Sequence, residues 1–252
     1  MIKMPPLCPL LGIPLAATDY ASAVALTRSW ADEPVVRAVE AANTHVIALG
    51  RHDPAFAAAL AQFDLIVPDG MPLVWAMNRR GAGLRDRVYG PSLMLHALAQ
   101  PGVPHFLLGG SEELLERLTA RLRERFPDLR IAGSYAPPFG EWSQEENARI
   151  FQRIAASGAQ YIWVGLGCPK QEHWIARHKE QLPPGVYFAI GAAFAFHAGL
   201  VSQAPAWMQK RGLEWAYRLA TEPRRLWKRY VVYNTLFVWY LLTDALRPSR
   251  KA

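Results

Sequence analysis

Three groups of residues in this chain have the types and spacing to do chemistry. The first centres on Asp69, in Asp64-Leu65-Ile66-Val67-Pro68-Asp69-Gly70-Met71-Pro72-Leu73. An apolar run of strand character ends there in Pro-Asp-Gly, and Pro72 then opens an apolar segment of helical character. A carboxylate just past the carboxyl end of a strand lies where open α/β sheets bind their ligands. It can take a proton from an attacking hydroxyl. Pro-Asp-Gly is also good turn chemistry on any protein, so this segment by itself leaves base and turn residue both open.

The second group is Val164-Gly165-Leu166-Gly167-Cys168-Pro169-Lys170-Gln171-Glu172. A buried strand gives way to glycines, which allow close backbone approach, and then to a helix start. Free amides at such a start, with Lys170 beside them, suit a phosphate. Gln171 and Glu172 can hydrogen-bond a base or a sugar; the plainer alternative is an ordinary strand-to-helix loop with solvated polar residues. Gly109-Gly110-Ser111 repeats the layout more weakly, with a simple helix cap as its alternative. Neither segment is a Walker loop or a complete Gly-x-Gly-x-x-Gly fingerprint. Asn43 and His45 follow a strand and precede a helix, so they can face the same crevice, although a loop Asn commonly serves a turn. His173 and His178 stand five apart on a helix, off metal-ligand spacing, and His197 is isolated. With no Asp-x-Asp motif either, no metal is expected.

The third group is the tail, Trp207-Met208-Gln209-Lys210-Arg211-Gly212-Leu213-Glu214-Trp215-Ala216-Tyr217-Arg218, followed by Glu222-Pro223-Arg224-Arg225-Leu226-Trp227-Lys228-Arg229-Tyr230. Spacing on a helix would cluster Arg218, Arg225 and Arg229, with Trp and Leu on adjoining faces. Arginines interleaved with aromatic rings suit a membrane interface or a polyanion; a packing helix with a solvated basic face is the alternative.

The elements that must position these groups alternate through the first 200 residues. Strand signals fall at Leu11–Leu15, Val35–Ala42, Leu65–Val67, His105–Leu108, Arg130–Ser134, Tyr161–Val164 and Val186–Ile190. Helical patterns fall at 18–28, 55–62, 91–99, from Ser111 onward, at 144–156 and through Trp174 to His178. That rhythm predicts a mostly parallel sheet flanked by helices. After Gly199 the strands stop, and a boundary is placed near Ser202–Pro205. It separates an α/β domain at 1–202 from a helical, basic, aromatic appendage at 203–252.

Composition bounds the function. Apolar residues make up 51% of the 252, enough for a sizeable core, and the formal charge is +7. Residues 201–252 hold ten Lys/Arg against Glu214, Glu222 and Asp244, so the tail carries the whole excess and should face something anionic. Cys8 and Cys168 have no paired spacing, which suits a reducing compartment. The prolines of Met1-Ile2-Lys3-Met4-Pro5-Pro6 argue against a signal peptide. The apolar run Tyr230–Leu242 is shorter than the roughly 20 residues needed to span a bilayer. These features predict a cytoplasmic protein whose tail touches a membrane.

Taken together, the motifs are recognisable. Pro68-Asp69-Gly70-Met71-Pro72, Gly165-Leu166-Gly167 with Pro169-Lys170-Gln171-Glu172, Ala204-Pro205-Ala206-Trp207-Met208, and Gly212-Leu213-Glu214-Trp215 with Arg218 and Glu222-Pro223-Arg224-Arg225 resemble the WecG/TagA/CpsF glycosyltransferases, glycosyltransferase family 26. The likeness runs in order from about residue 10 to residue 235. It implies a Rossmann-like α/β core with a C-terminal appendage. It also implies inverting, metal-independent transfer of a sugar from a UDP-sugar to a polyprenyl-diphosphate-linked saccharide, for cell-surface polysaccharide, at the cytoplasmic face of the inner membrane. By the same resemblance the catalytic aspartate falls on Asp69 and the motif glutamine on Gln171. Asn43 is retained from the family's first loop, and the residues themselves add Gly109, Gly110, Gly165, Gly167, Lys170 and Glu172 as candidate donor contacts. The cations that meet the leaving group or membrane fall among Arg218, Arg224, Arg225, Lys228 and Arg229. No cofactor is implied beyond the donor, and no nucleic acid; self-association through the apolar tail stays open. Two positions depart from the family pattern. Ala41 stands where a Thr is usual, and Ser92 where an acid is common, so the donor sugar and acceptor are left open. The rival readings are a non-catalytic nucleotide-sugar-binding regulatory module and a nucleotide-sugar epimerase or dehydrogenase.

Overall fold

The computed structural model describes residues 2–246. In chain order the elements are β1 (Leu7–Leu10), β2 (Ile13–Ala16), α1 (Tyr20–Trp30), β3 (Val36–Ala42), α2 (Thr44–His52), α3 (Pro54–Leu60), β4 (Leu65–Pro68), α4 (Met71–Asn78) and α5 (Gly90–Leu98). There follow β5 (His105–Leu108), α6 (Glu112–Arg125), β6 (Ile131–Tyr135), α7 (Gln144–Ser157), β7 (Tyr161–Val164), α8 (Lys170–His178), β8 (Gly185–Ala189), α9 (Ala192–His197), α10 (Ala206–Lys210), α11 (Glu214–Thr221) and α12 (Pro223–Ala245). The chain is α/β, Rossmann-like, with a helical C-terminal segment, as its sequence predicts. Arg247, Arg250 and Lys251 of the predicted basic tail lie outside the described residues.

β3 to β8 form one parallel sheet in the order β4-β3-β8-β7-β5-β6. Strands buried on both faces read as continuous apolar runs, and the alternation along each one distributes its side chains. Tyr161 and Trp163 of β7 join α1, α5, α6 and α9 in one core layer. Ile162 and Val164 point the other way, toward α7 and α8. The second layer continues through α2, α3, α4 and α12.

One predicted strand, one missed helix and one predicted clustering are corrected. Leu11–Leu15 is not one strand. Leu11 and Gly12 both have positive φ, 52° and 90°, and turn an antiparallel hairpin between β1 and β2, the two-residue turn whose twist suits a hairpin. α9 was not expected, because Ala192–Phe196 is uniformly apolar and shows no helical period. Arg218 and Arg225 do not share one helix. Pro223 has no N–H to continue α11, so the chain breaks at Glu222 and starts α12 with proline in its first turn.

The tail is packed on the core. α12 lies along α2, where Phe237 is 3% exposed. Thr44 donates to Asn234 at 2.7 Å, and Arg80 pairs with Asp244 at 2.8 Å. Asn234, which interrupts the last apolar run of the sequence, is therefore a docking contact. No helix among the described residues is long and apolar enough to cross a membrane.

Candidate active site

All six loops that follow the parallel strands gather at the carboxyl edge of the sheet. β4 delivers Asp69. The backbone N–H of Asp69 donates to Ala42 O at 2.7 Å, and its Oδ1 accepts from Gly90 N at 3.2 Å. One face of the residue stays partly open while its carboxyl is enclosed by protein. That burial pushes the carboxyl up to about 7, with Glu214 acting the same way, against the opposing pull of Arg87, the Gly90 amide and Arg218. A carboxyl poised there can exchange a proton near neutral pH.

Arg87 is a partner that sequence reading missed. It is 9% exposed, and its guanidinium donates to Asp69 O at 3.3 Å, Gln209 Oε1 at 3.0 Å and Glu214 Oε2 at 2.7 Å. It also lies 4.1 Å over the Tyr89 ring. One side chain thus ties the β4 loop to α10 and α11 and seats the C-terminal segment beside Asp69. Within Arg85-Asp86-Arg87 it reads as a solvated charge run, and nothing local sets it apart.

Glu40 was missed as well, although here a signal existed: it is a lone carboxylate in the apolar inner half of its strand, Ala38–Ala42. It is 1% exposed on β3, close enough to Glu172 of α8 (0% exposed) to share a hydrogen bond, and burial with the neighbouring Glu172 holds its carboxyl well above the usual range. Arg229 of α12 faces the pair and draws both carboxyls back. The same cluster contains His45, pushed down to about 3 by burial and then by Arg229. Cys168 Sγ lies 3.7 Å from His45 Nδ1, and burial raises its thiol.

The second part of the edge is glycine-lined. From β5 the chain runs outward to β6, and from β7 it runs inward to β8, so the connections diverge between neighbouring strands. That is the topological switch point, the usual ligand crevice of open α/β sheets. A cleft of about 1220 Å³ opens here, bounded by Gly110, Gly165, Leu166, Lys170, Trp174 and the 136–142 loop. Gly109, at φ 113°, lies against Gly165, where any Cβ would come within 2.7 Å of the Gly165 carbonyl. A second hollow of about 920 Å³, lined by Val35, Gln62, Lys179 and Leu182 among others, contains none of the predicted site residues.

The predicted site residues therefore divide. Gly109, Gly110, Gly165 and Gly167 line or adjoin the switch-point crevice. Gln171 and Glu172 turn inward. Gln171, 4% exposed, accepts from Gly167 N and Gly191 N at 3.1 Å each and donates to Glu172 Oε1 at 2.9 Å. Its amide holds two loops together and leaves only one N–H uncommitted. Lys170 donates to Gly140 O at 2.5 Å and sits 4.2 Å over the Trp142 ring. Asn43 caps α2, accepting from His45 N and Val46 N. Arg218 lies 5.2 Å over Phe196, and its Nε and that of Arg229 are buried without a hydrogen-bond partner among the described residues. Arg224, Arg225 and Lys228 are exposed. Among the described residues no three His, Cys, Asp or Glu side chains are grouped to hold a metal ion.

Residues 8–251 match the model of the Glycosyl transferase WecG/TagA/CpsF family. The chain belongs to this family. As a WecG/TagA/CpsF protein it is a glycosyltransferase of cell-surface polysaccharide synthesis, a class that joins nucleotide-sugar donors to lipid-linked acceptors. Ala41 and Ser92, which the sequence comparison singled out, lie near the β4 loop and α5. Ala41 packs against Gly90, the residue whose amide binds the Asp69 carboxyl. Ser92 reaches the Tyr20 hydroxyl, which in turn accepts from Tyr89 N at 3.0 Å.

Proposed function

We propose that this glycosyltransferase moves a sugar from a UDP-sugar to a polyprenyl-diphosphate-linked saccharide in one displacement, with inversion, using Asp69 as general base. The observation that carries the reading is the Asp69 carboxyl itself, enclosed at a strand end, raised to about 7 and faced by Arg87 and by Arg218 of the C-terminal helices. The acceptor oxygen forms its bond to the anomeric carbon as the bond from that carbon to the UDP oxygen breaks, and the hydroxyl proton passes to Asp69. UDP leaves with the electron pair.

The leaving diphosphate needs donors that are not already spent. The buried Nε–H groups of Arg218 and Arg229 have no other partner among the described residues, and Arg suits a diphosphate because its planar fork binds two oxygens at once. Asp69 and Gly165 are separated by three strand spacings, about 14 Å at about 4.8 Å each. The reading accordingly gives the nucleotide to the switch-point cleft and the transferred sugar to the Asp69 side. Gln171 and Glu172 act by fixing the loops rather than by touching the base. The exposed Arg224, Arg225 and Lys228, beside exposed Trp227, Val231, Val238 and Trp239, form a basic and apolar outer surface suited to an anionic cytoplasmic membrane face. The 203–252 segment is then both membrane contact and part of the active site.

Labelled UDP-sugars incubated with a lipid-diphosphate acceptor test the reading. Label should appear in the lipid fraction. Donor consumed without any lipid product would instead indicate a nucleotide-sugar-modifying enzyme.

A further inference from the structure

The excess positive charge of the sequence lies in the tail, yet the fold adds a core element to the same outer surface. α4 begins two residues after Asp69, and its Trp75 is 46% exposed although the rest of the helix is largely apolar and buried. Arg79, one turn further on, occupies the same helix face; it is exposed and has no ion-pair partner among the described residues. The α10–α11 turn abuts this face, since a Cβ on Gly212 would stand 2.9 Å from the Trp75 ring and 3.4 Å from Met71 Cβ. On the other side of that turn lie Trp207, 55% exposed, the exposed Lys210 and Arg211, and the Arg211 guanidinium 5.7 Å over the Trp207 ring. At its far end α4 is fastened to α12 through Arg80 and Asp244.

Exposed aromatic residues are unremarkable singly. Here the turn that follows the Trp207 helix abuts Trp75, about 130 residues earlier in sequence, and cations without an ion-pair partner among the described residues stand near each tryptophan, which is the composition of a bilayer interface. We infer that the outer face of α4, through Trp75 and Arg79, seats directly on an anionic lipid bilayer together with α10. This rests on the proposed transfer to a lipid-linked acceptor and gives it a geometry. A helix rises about 1.5 Å per residue, so Trp75 lies about 6 Å along α4 from its start. The bilayer surface is thereby brought to the helix that directly follows the Asp69 loop, beside the proposed base.

Co-sedimentation of the full chain with phosphatidylglycerol/phosphatidylcholine vesicles tests the seat. One cation beside an anionic surface changes partitioning about five-fold, so Arg79→Gln should weaken binding to these vesicles by about that factor and leave binding to pure phosphatidylcholine unchanged. Trp75→Ser should weaken binding to both. Melting curves matching the parent exclude misfolding as the cause, and the surface change at Arg79 supplies the result should Trp75→Ser fail to fold. If both variants sediment like the parent while Arg225→Gln and Lys228→Gln do not, the α4 seat is wrong and the membrane reading of the tail survives. If the parent binds no anionic vesicle, the membrane reading itself fails and takes the seat with it. Loss of a dimer in sedimentation velocity with lipid binding intact would assign this face to a second copy of the chain and overturn the proposal.

Discussion

The two halves of the carboxyl edge solve opposite problems. Around Asp69 the chain brings charge in: a carboxyl at β4, Arg87 from the loop after α4, and Glu214 and Arg218 from a helix more than 120 residues later, with Arg229 facing the neighbouring Glu40 and Glu172. Around the switch point it takes bulk away, with glycines on three strand-end loops and a Gln amide joining two of them. The difference teaches how each half reads in sequence. Space is made locally, by glycine where a side chain will not fit, and leaves a motif. Charge is assembled from distant segments and leaves almost none.

The comparison can be broken first at the charged half. Arg87→Met leaves Glu214 and the Asp69 carbonyl without their guanidinium in a largely buried setting. Removing one partner of such a pair costs about 3–5 kcal/mol, and limited proteolysis should show α10–α12 released from the core before the sheet unfolds. Asp69→Asn should lower turnover by about 10²–10⁴-fold with UDP binding kept, measured by single-turnover kinetics beside calorimetry. Near-parent turnover would remove Asp69 from the role of base.

The glycine half predicts the converse pattern. Gly109→Ala places a methyl 2.7 Å from the Gly165 backbone at a φ of 113°, and overpacking of this kind costs about 1–3 kcal/mol. Donor affinity should fall together with stability, in contrast to Asp69→Asn, where affinity holds. If the two variants lose donor binding equally, the edge is not divided as described.

The pH dependence sharpens the charged half. A base raised to about 7 must be deprotonated to work, so the transfer rate should climb as pH rises through about 7. Stability runs the other way. The folded carboxyl holds its proton more tightly than an unfolded one at about 3.9, so this stabilisation is present below about pH 4 and is lost as pH rises through about 7. Asp69→Asn should abolish the rise in rate and flatten the stability slope in part, the remainder belonging to Glu40 and Glu172, which are raised as well, as followed by a rate profile and denaturant midpoints across pH 4–8.

The smallest effect is expected at Asn43. Its carboxamide oxygen caps α2 through two amides, so Asn43→Ala should cost about 1 kcal/mol of stability. Asn43→Asp keeps an accepting oxygen and should retain most of that stability. A turnover defect in Asn43→Asp without a change in melting temperature would show that the uncommitted side-chain amide contacts substrate.

Much of the fold was legible because its causes are local. Apolar runs of four to seven residues punctuated by Gly, Pro and Ser located the parallel strands, and Ser111 and Ser143 cap α6 and α7 as their positions predict. The misses have local causes too. Leu11 gave no sign that it would occupy a positive-φ turn position, and Ala192–Phe196 is too uniformly apolar to show a helical period. Within the site, Asp69 and the glycine loops stood out because position relative to a strand end is itself a sequence property. Glu40 had a signal that went unread, a single carboxylate in the apolar inner half of its strand, Ala38–Ala42. Arg87 and Gln209 had none, since their roles consist of partners far away in the chain.

By itself, then, the sequence determined the parallel sheet, the placement of Asp69 and the glycines at its carboxyl edge, and the family's ordered motifs, all of which follow from short-range periodicity and backbone sterics. Only the tertiary structure decided which way those side chains face. It turned Gln171 and Glu172 inward, joined Arg87 to Glu214, and brought Arg218 and Arg229 beside the carboxylates. The physical reason is that strand and helix formation depend on neighbours within a few residues, whereas burial and ion pairing depend on which distant surfaces share the same space.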